Sequence, residues 1–327
     1  MSNHILEVQD LTVQYTSGKD IVRAVNGISF ALGTGESLGL VGETGAGKTT
    51  TALSIMRLIP DPPGEIVDGD IIYKGESLLK KSEAEMRRIR GREISMIFQD
   101  PMTALNPMFT VGEQIAEVIR LHESISKKEA FKKAQEMMEV VGIEGGRANE
   151  YPHQFSGGMK QRIVIAIALA CKPAVIIADE PTTALDVTIQ AQVLDLIEKL
   201  KENYNTSLIL ITHDLGVVAE ICAKVAVIYA GKIVEYGTLE HIYNNPAHPY
   251  TVGLFGSVPN LAKHVDRLTP IPGLMPDPTR LPAGCSFYER CTYSCDRCKE
   301  EIPNLEIEPG HFVRCINTKG GQLCQHW

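Results

Sequence analysis

The sequence predicts an α/β nucleotide-binding fold, a parallel sheet covered by helices, followed by a small cysteine-bearing unit. Three observations carry this. A phosphate loop, GETGAGKT at 42–49, stands between a strand-like run and a helix-like run. From residue 156 onward, apolar strand-like runs alternate with amphipathic helical ones, the pattern of a sheet with covered faces. Six of the eight cysteines crowd together after residue 284.

The elements follow in order. Residues 5–41 read as short strands, ILEVQDLTVQY, GISFAL and ESLGLVG, the last running into the phosphate loop and a helix through TTALSIMRLI. IVDGDIIY (66–73) and EISMIF (93–98) read as further strands. A helical insertion comes next. Thr110 precedes Glu113 by three residues and Ser126 precedes Glu129 by three, so each pair can satisfy orphan N–H groups at a helix start. Behind them Ile115, Val118 and Ile119, then Phe131, Ala134, Met138 and Val141, recur at helical spacing. AVIIAD and SLILIT are buried strands, and the helix between them carries its apolar stripe on Ile189, Val193, Leu196, Ile197 and Leu200. KVAVIYAGKIVEYG (224–237) is a hairpin turning at Ala230-Gly231. Prolines at 259, 270, 272, 276, 278 and 282 then favour an extended connection.

Composition narrows the function. A chain of 327 residues exceeds what one core usually absorbs, so two units are expected. The net charge of −8 argues against broad nucleic-acid binding, which needs clustered Lys and Arg. The one basic cluster, Lys80, Lys81, Arg87, Arg88, Arg90 and Arg92, is interleaved with Glu83, Glu85 and Glu93 and reads as a solvated helical face. The longest apolar run, IVIAIALAC at 163–171, falls well short of the roughly 20 residues that span a bilayer. MSNHILEVQD has neither the basic region nor the apolar core of a secretory signal. Any membrane role is therefore expected to come through a partner. Cys171 and Cys222 stand alone in apolar surroundings and read as inert core residues, whereas the crowded tail favours metal over disulfides.

The chemistry begins at the loop. Gly42, Gly45 and Gly47 let backbone N–H groups turn inward around a β-phosphate, with Glu43, Thr44 and Ala46 completing the ring. Lys48 supplies a cation to the β- and γ-phosphates, Thr49 a hydroxyl for Mg²⁺, and Thr50 a donor near the α-phosphate. VIIADE places Asp179 at the C-terminal end of a buried strand, where such sheets bind ligands, and suits it to Mg²⁺. Glu180, the next residue, is placed as general base for a lytic water. Ser156, Gly157 and Gly158 of FSGGM open a helix and form a second phosphate cradle. Two cradles and one ATP make sense if each nucleotide lies between two copies.

These segments, in this order, resemble the ATP-binding-cassette (ABC) ATPases over roughly residues 1–250. The resemblance implies an ABC-type core with an antiparallel β subdomain and a helical subdomain at about 100–165, the ATPase domain spanning 1–255. It implies that Gln99 reaches Mg²⁺ or the lytic water, that His213 contacts the γ-phosphate, that Asp186 of ALD (184–186) links the paired sites, and that Tyr15 stacks under adenine. The family closes head to tail. FSGGM departs from the commoner LSGGQ at Phe155 and Met159, a variation of the peptide-importer branch.

The tail, with HPYT (248–251), PIPG (270–273) and the spacing Cys285-x5-Cys291-x6-Cys298-x16-Cys315, is similar to the C-terminal extension of dipeptide and oligopeptide importer ATPases, giving a second region at 256–327. That likeness implies a [4Fe–4S] cluster on Cys285, Cys291, Cys298 and Cys315. Cys295 and Cys298 form a CxxC, so zinc remains a rival, and so do free thiols; Cys295 and Cys324 fall outside the quartet. The function implied is ATP hydrolysis energising a membrane importer. Its partners would be a second ABC ATPase, two permease subunits and, indirectly, an extracytoplasmic binding protein, which places the chain at the cytoplasmic face of the membrane. Nickel or glutathione are alternative cargoes. A soluble ABC ATPase acting on DNA or ribosomes fits less well, since the chain is acidic and has neither a coiled-coil insertion nor a second cassette. Intact Lys48, Asp179, Glu180 and His213 speak against a non-catalytic regulatory cassette.

Overall fold

The structure is a computed structural model and describes residues 4–99, 101–183, 186–256 and 271–318. In chain order the elements begin with strands β1 (His4–Ser17), β2 (Asp20–Gly33) and β3 (Ser37–Val41), helix α1 (Lys48–Ile55), and strands β4 (Gly64–Tyr73) and β5 (Glu76–Ser77). Then come α2 (Glu83–Ile89), β6 (Ile94–Ile97), α3 (Pro101–Ala104), α4 (Val111–His122), α5 (Lys127–Val140) and α6 (Gly157–Leu169). β7 (Val175–Asp179), α7 (Val187–Tyr204), β8 (Ser207–Thr212), α8 (Leu215–Ile221), β9 (Lys224–Tyr229) and β10 (Lys232–Thr238) follow. The chain continues through α9 (Leu239–Asn244), α10 (Pro249–Gly256), β11 (Leu305–Glu308) and β12 (His311–Val313). Ala184, Leu185, the prolines at 259 and 270, and Cys324 lie outside the described residues.

Two compact units emerge. The first comprises Met1–Ile5, Leu32–Ser37 and Lys80–Ile211. Its strands β6, β7 and β8 run parallel, with Ile94 opposite Val175 and Val175 opposite Ser207. All three are buried along their whole length, as a parallel sheet covered on both faces requires. Both foreseen capping boxes form, at Thr110–Glu113 and Ser126–Glu129, and a third at Ser82–Glu85 starts α2. The helical insertion buries one face: Ile115, Ala116 and Ile119 on α4, Ala130, Ala134 and Met138 on α5. On α7 the buried stripe runs through Val193, Leu194, Ile197 and Leu200, while Ile189 and Leu196 are half-buried. The stretch after Gln99, read as a Pro-rich loop, holds the short helix α3, with Pro101 in its first turn.

The second unit comprises Leu6–Ala31, Leu38–Leu79 and Thr212–Trp327. It carries an antiparallel sheet of order β2-β1-β4-β5. It also carries a run of strands β11-β12-β10-β9-β3, in which β3 and β9 are parallel and the others antiparallel. The β9–β10 hairpin turns at Ala230 and Gly231, both at positive φ (46° and 76°), the two-residue turn whose twist suits a hairpin. In the cysteine tail the hairpin β11–β12 adds to β10, with Val313 opposite Glu235.

Candidate active site

In the second unit, β3 delivers the chain into the phosphate loop. Gly47 caps α1 at φ 103°, and a Cβ there would lie 2.4 Å from the Ala24 carbonyl oxygen. A Cβ on Gly42 would meet the Ile228 carbonyl oxygen at 2.1 Å, so both positions need glycine. Lys48 is buried, and its Nζ donates across the loop to the carbonyls of Gly42 (2.6 Å) and Glu43 (3.0 Å). Thr44, Gly45 and Thr49 are exposed and Thr50 is half-buried. Tyr15 lies opposite Gly64 on β4, its ring so close that a Cβ on Gly64 would meet it at 2.7 Å. His213 is exposed just after β8, and the next residue, Asp214, caps α8 by accepting from Gly216 and Val217 N–H.

The first unit holds the remaining groups. Asp179 ends β7 and is 2% exposed. Glu180 follows at φ 46°, a conformation a non-glycine residue adopts only when its surroundings impose it. Its N–H donates to the Ile211 carbonyl, and its Oε2 accepts from Gln99 Nε2 (2.8 Å) and Thr183 Oγ1 (2.9 Å). The structure thus joins Gln99 to Glu180. Ser156 caps α6, accepting from Met159 N–H, and Gly157 faces open space. Gly158 packs on α7, where a Cβ would meet Ile189 Cγ2 at 2.5 Å. Phe155 is buried, with the Arg147 guanidinium 4.4 Å over its ring. Asp186 caps α7 by accepting from Ile189 N–H. Gln161 is a further residue of this region. It is fully buried on α6, and its amide donates to the Pro181 carbonyl at 2.6 Å, tying the FSGGM helix to the turn after Glu180.

HPYT acquires a physical reason. Glu235, fully buried on β10, accepts from the N–H groups of Ala247 (2.7 Å) and His248 (2.9 Å) and from His311 Nε2 (2.8 Å). His248 Nδ1 accepts from Tyr250 N–H, and burial pushes this imidazole down to about 4. The Tyr250 hydroxyl in turn accepts from the backbone N–H of Glu43 at 3.0 Å, and burial raises its phenol. The motif therefore ends on the phosphate loop.

Of the cysteines, Cys222 is buried as expected, while Cys171 is half-buried just past the end of α6. In the tail, Cys295 and Cys298 have their sulfurs 3.8 Å apart. Among the described residues no three His, Cys, Asp or Glu side chains converge as ligands of one metal ion, so neither the iron–sulfur centre nor zinc is shown. The thiols nonetheless act on one another. Burial, together with the charges of neighbouring thiols, pushes Cys291 up to about 11 and Cys315 up to about 12. Burial raises Cys285 and Cys298 as well. Among these four sulfurs, Cys315 Sγ accepts a hydrogen bond from the backbone N–H of Asn317 at 3.3 Å, which opposes part of the rise there. A donor of this kind favours the thiolate, but burial outweighs it and holds the group as the thiol.

The family profile described as "ABC transporter" matches residues 25–183, and that described as "Oligopeptide/dipeptide transporter, C-terminal region" matches 234–298. The dipeptide transport ATP-binding protein DppD of Bacillus subtilis is 51% identical over 95% of this chain and 94% of its own. The chain belongs to the ABC-transporter ATPases. A probable peptide ABC transporter ATP-binding protein of Sinorhizobium fredii is 50% identical over 95% of this chain and 94% of its own. Among solved structures, the dimeric post-hydrolysis ABC cassette MJ0796 bound to ADP and Pi matches with a TM-score of 0.65 at 27% identity, covering 72% of this chain and 98% of that one. An α/β ABC cassette with antiparallel and parallel sheets is thus both the fold expected and the fold found. No helix among the described residues is long and apolar enough to cross a membrane.

Proposed function

We propose that the chain is the ATP-hydrolysing subunit of an importer for di- and oligopeptides, acting as one of two cassettes beneath two permease subunits at the cytoplasmic face of the membrane. The peptide cargo is supported by what the relatives are named for and by the matched C-terminal region. The single observation that carries the chemistry is Glu180, held at φ 46° beside buried Asp179 and hydrogen-bonded by Gln99 and Thr183. Strain of that kind persists where function needs a carboxylate aimed.

In this reading the phosphate-loop amides and Lys48 hold the β- and γ-phosphates, Thr50 serves the α-phosphate, and Tyr15 lies against adenine. Thr49, Gln99 and Asp179 would hold Mg²⁺, which when bound neutralises charge developing on the phosphate oxygens. Glu180 takes a proton from water as its oxygen attacks the γ-phosphorus. The bond from that phosphorus to the bridging oxygen breaks, leaving ADP and phosphate. His213 stabilises the γ-phosphate. Ser156, Gly157 and Gly158 of the partner cassette complete the site, and Asp186 links the two. Exposed Phe98, Met108 and Phe109, around the Gln99 segment, are the surface offered to the permeases. The functional division is an ATPase domain at 1–255, with its helical subdomain at about 100–165, and an extension at 256–327.

Glu180→Gln should still bind ATP and should accumulate a closed, nucleotide-loaded pair, because only the base is lost. Undiminished phosphate release by this variant would sink the assignment.

The cysteine spacing of the tail favours a second element. Cys285, Cys291, Cys298 and Cys315 would hold a [4Fe–4S] cluster, which takes four thiolate ligands. Zinc would instead draw on Cys295 and Cys298, whose 3.8 Å separation suits two thiolates on one tetrahedral ion. In either form the metal would staple a unit with little core of its own.

A further inference from the structure

One side chain of the cysteine extension reaches into the phosphate loop. Arg290 lies in a short 3-10 turn, Tyr288–Arg290, between Cys285 and Cys291. Its side chain is only 6% exposed, and Nη1 sits 3.1 and 3.0 Å from the two carboxylate oxygens of Glu43, the second residue of GETGAGKT. Nε donates to the Pro272 carbonyl (2.9 Å) and Nη2 to that of Ile271 (3.3 Å). The Tyr229 hydroxyl lies 3.3 Å from Nη1, and the guanidinium faces the rings of Tyr229 and Phe287 at 5.7 and 5.9 Å. So many partners leave the guanidinium one position.

The other end of the contact is equally held. The Glu43 N–H donates to the Tyr250 hydroxyl, and its carbonyl accepts from Lys48 Nζ and from Ala46 N–H. The backbone of Glu43 thus belongs to the loop, while its carboxylate belongs to the extension. A carboxylate in a cradle for a polyanion has the wrong sign, and in a partly buried site its field is poorly screened. Arg290 cancels it.

We propose that Arg290 is a positioning residue for nucleotide binding: by pairing with Glu43 it removes a repulsive charge from the phosphate loop and lets the cysteine extension set the loop's affinity for ATP. The proposal rests on the ATP-binding reading, and stands whether the nearby thiols hold iron, zinc or neither.

The test is an equilibrium titration of the full-length chain with fluorescent ATP and ADP analogues, at low and moderate salt. Arg290→Gln should weaken ATP about tenfold, the scale of one lost charge-assisted contact, and ADP by less, because ADP carries less charge. Adding Glu43→Gln to that variant should recover most of the loss. Glu43→Gln alone should tighten ATP, since it removes a negative charge from the loop and leaves the Arg290 charge unopposed. Opposite signs from the two halves of one ion pair would not come from a merely structural contact, which either substitution would damage alike. If Arg290→Gln fails to fold, the Glu43→Gln titration still decides. ATP affinity within twofold of wild type in Arg290→Gln, or weakened binding in Glu43→Gln, overturns the proposal. A wild-type chain that binds no nucleotide would instead count against the ATPase reading itself.

Discussion

Acid should destabilise this protein through one buried histidine. His248 is 1% exposed, its Nδ1 accepts from Tyr250 N–H, and Glu235 holds the N–H of the same residue. Burial keeps the ring neutral down to about 4, against an ordinary value near 6.5, with the Glu235 charge opposing part of the shift. In the unfolded chain the ring takes up its proton near 6.5; in the folded chain it does so only near 4. The unfolded state therefore binds the extra proton in between, so stability falls as pH drops through that window and levels off below it. From pH 7 to 5 the loss is on the order of 2 kcal/mol, at about 1.4 kcal/mol per pH unit. That should lower the melting temperature by several degrees. His122, whose value is also lowered by burial, acts in the same direction. The assay is thermal melting at pH 7 and 5 for wild type and His248→Asn, whose amide oxygen can replace Nδ1 as acceptor. Most of the acid sensitivity should vanish in the variant. An equal drop in both proteins would refute the reasoning.

Three further outcomes are expected. Lys48→Ala should weaken ATP by roughly 10- to 100-fold, the scale of hydrogen bonds to a charged group, and near-normal affinity in a binding titration would contradict its role. Gly47→Ala should fold poorly or lose nucleotide, because its φ of 103° and the Ala24 carbonyl 2.4 Å from the new Cβ leave no relaxed geometry; an unchanged melting curve with full ATP binding would refute this. Protein purified without oxygen should be brown with about four irons per chain, and Cys315→Ser should lower its iron content. Colourless protein holding zinc would move the ligands to Cys295 and Cys298.

What could be read from the sequence was what local chemistry dictates. Capping boxes work within four residues, so Thr110–Glu113 and Ser126–Glu129 were legible before any fold was known. The phosphate loop was legible for a like reason, since glycine is required wherever backbone must approach backbone. Groups whose meaning depends on distant partners were not. Glu235 in KIVEYG reads as the polar member of an alternating strand, yet it is fully buried, because its partners are the N–H groups of residues 247 and 248 and the ring of His311. Gln161 looks like a surface residue in MKQR until Pro181 is seen to accept its amide. The hairpin β11–β12 is not legible locally, because LEIEPGHFV follows a stretch crowded with Cys and Pro and its alternation gains meaning only once β10 offers an edge. HPYT stood as a likeness without a mechanism. Its mechanism is the chain of contacts from Glu235 through His248 and Tyr250 to the Glu43 N–H, which makes the C-terminal half of the unit part of the phosphate loop's support. Arg290 grips the carboxylate of the same glutamate. Glu43 is thereby held at both backbone and side chain by residues more than 200 positions away, a constraint on ATP binding that the loop motif by itself does not express.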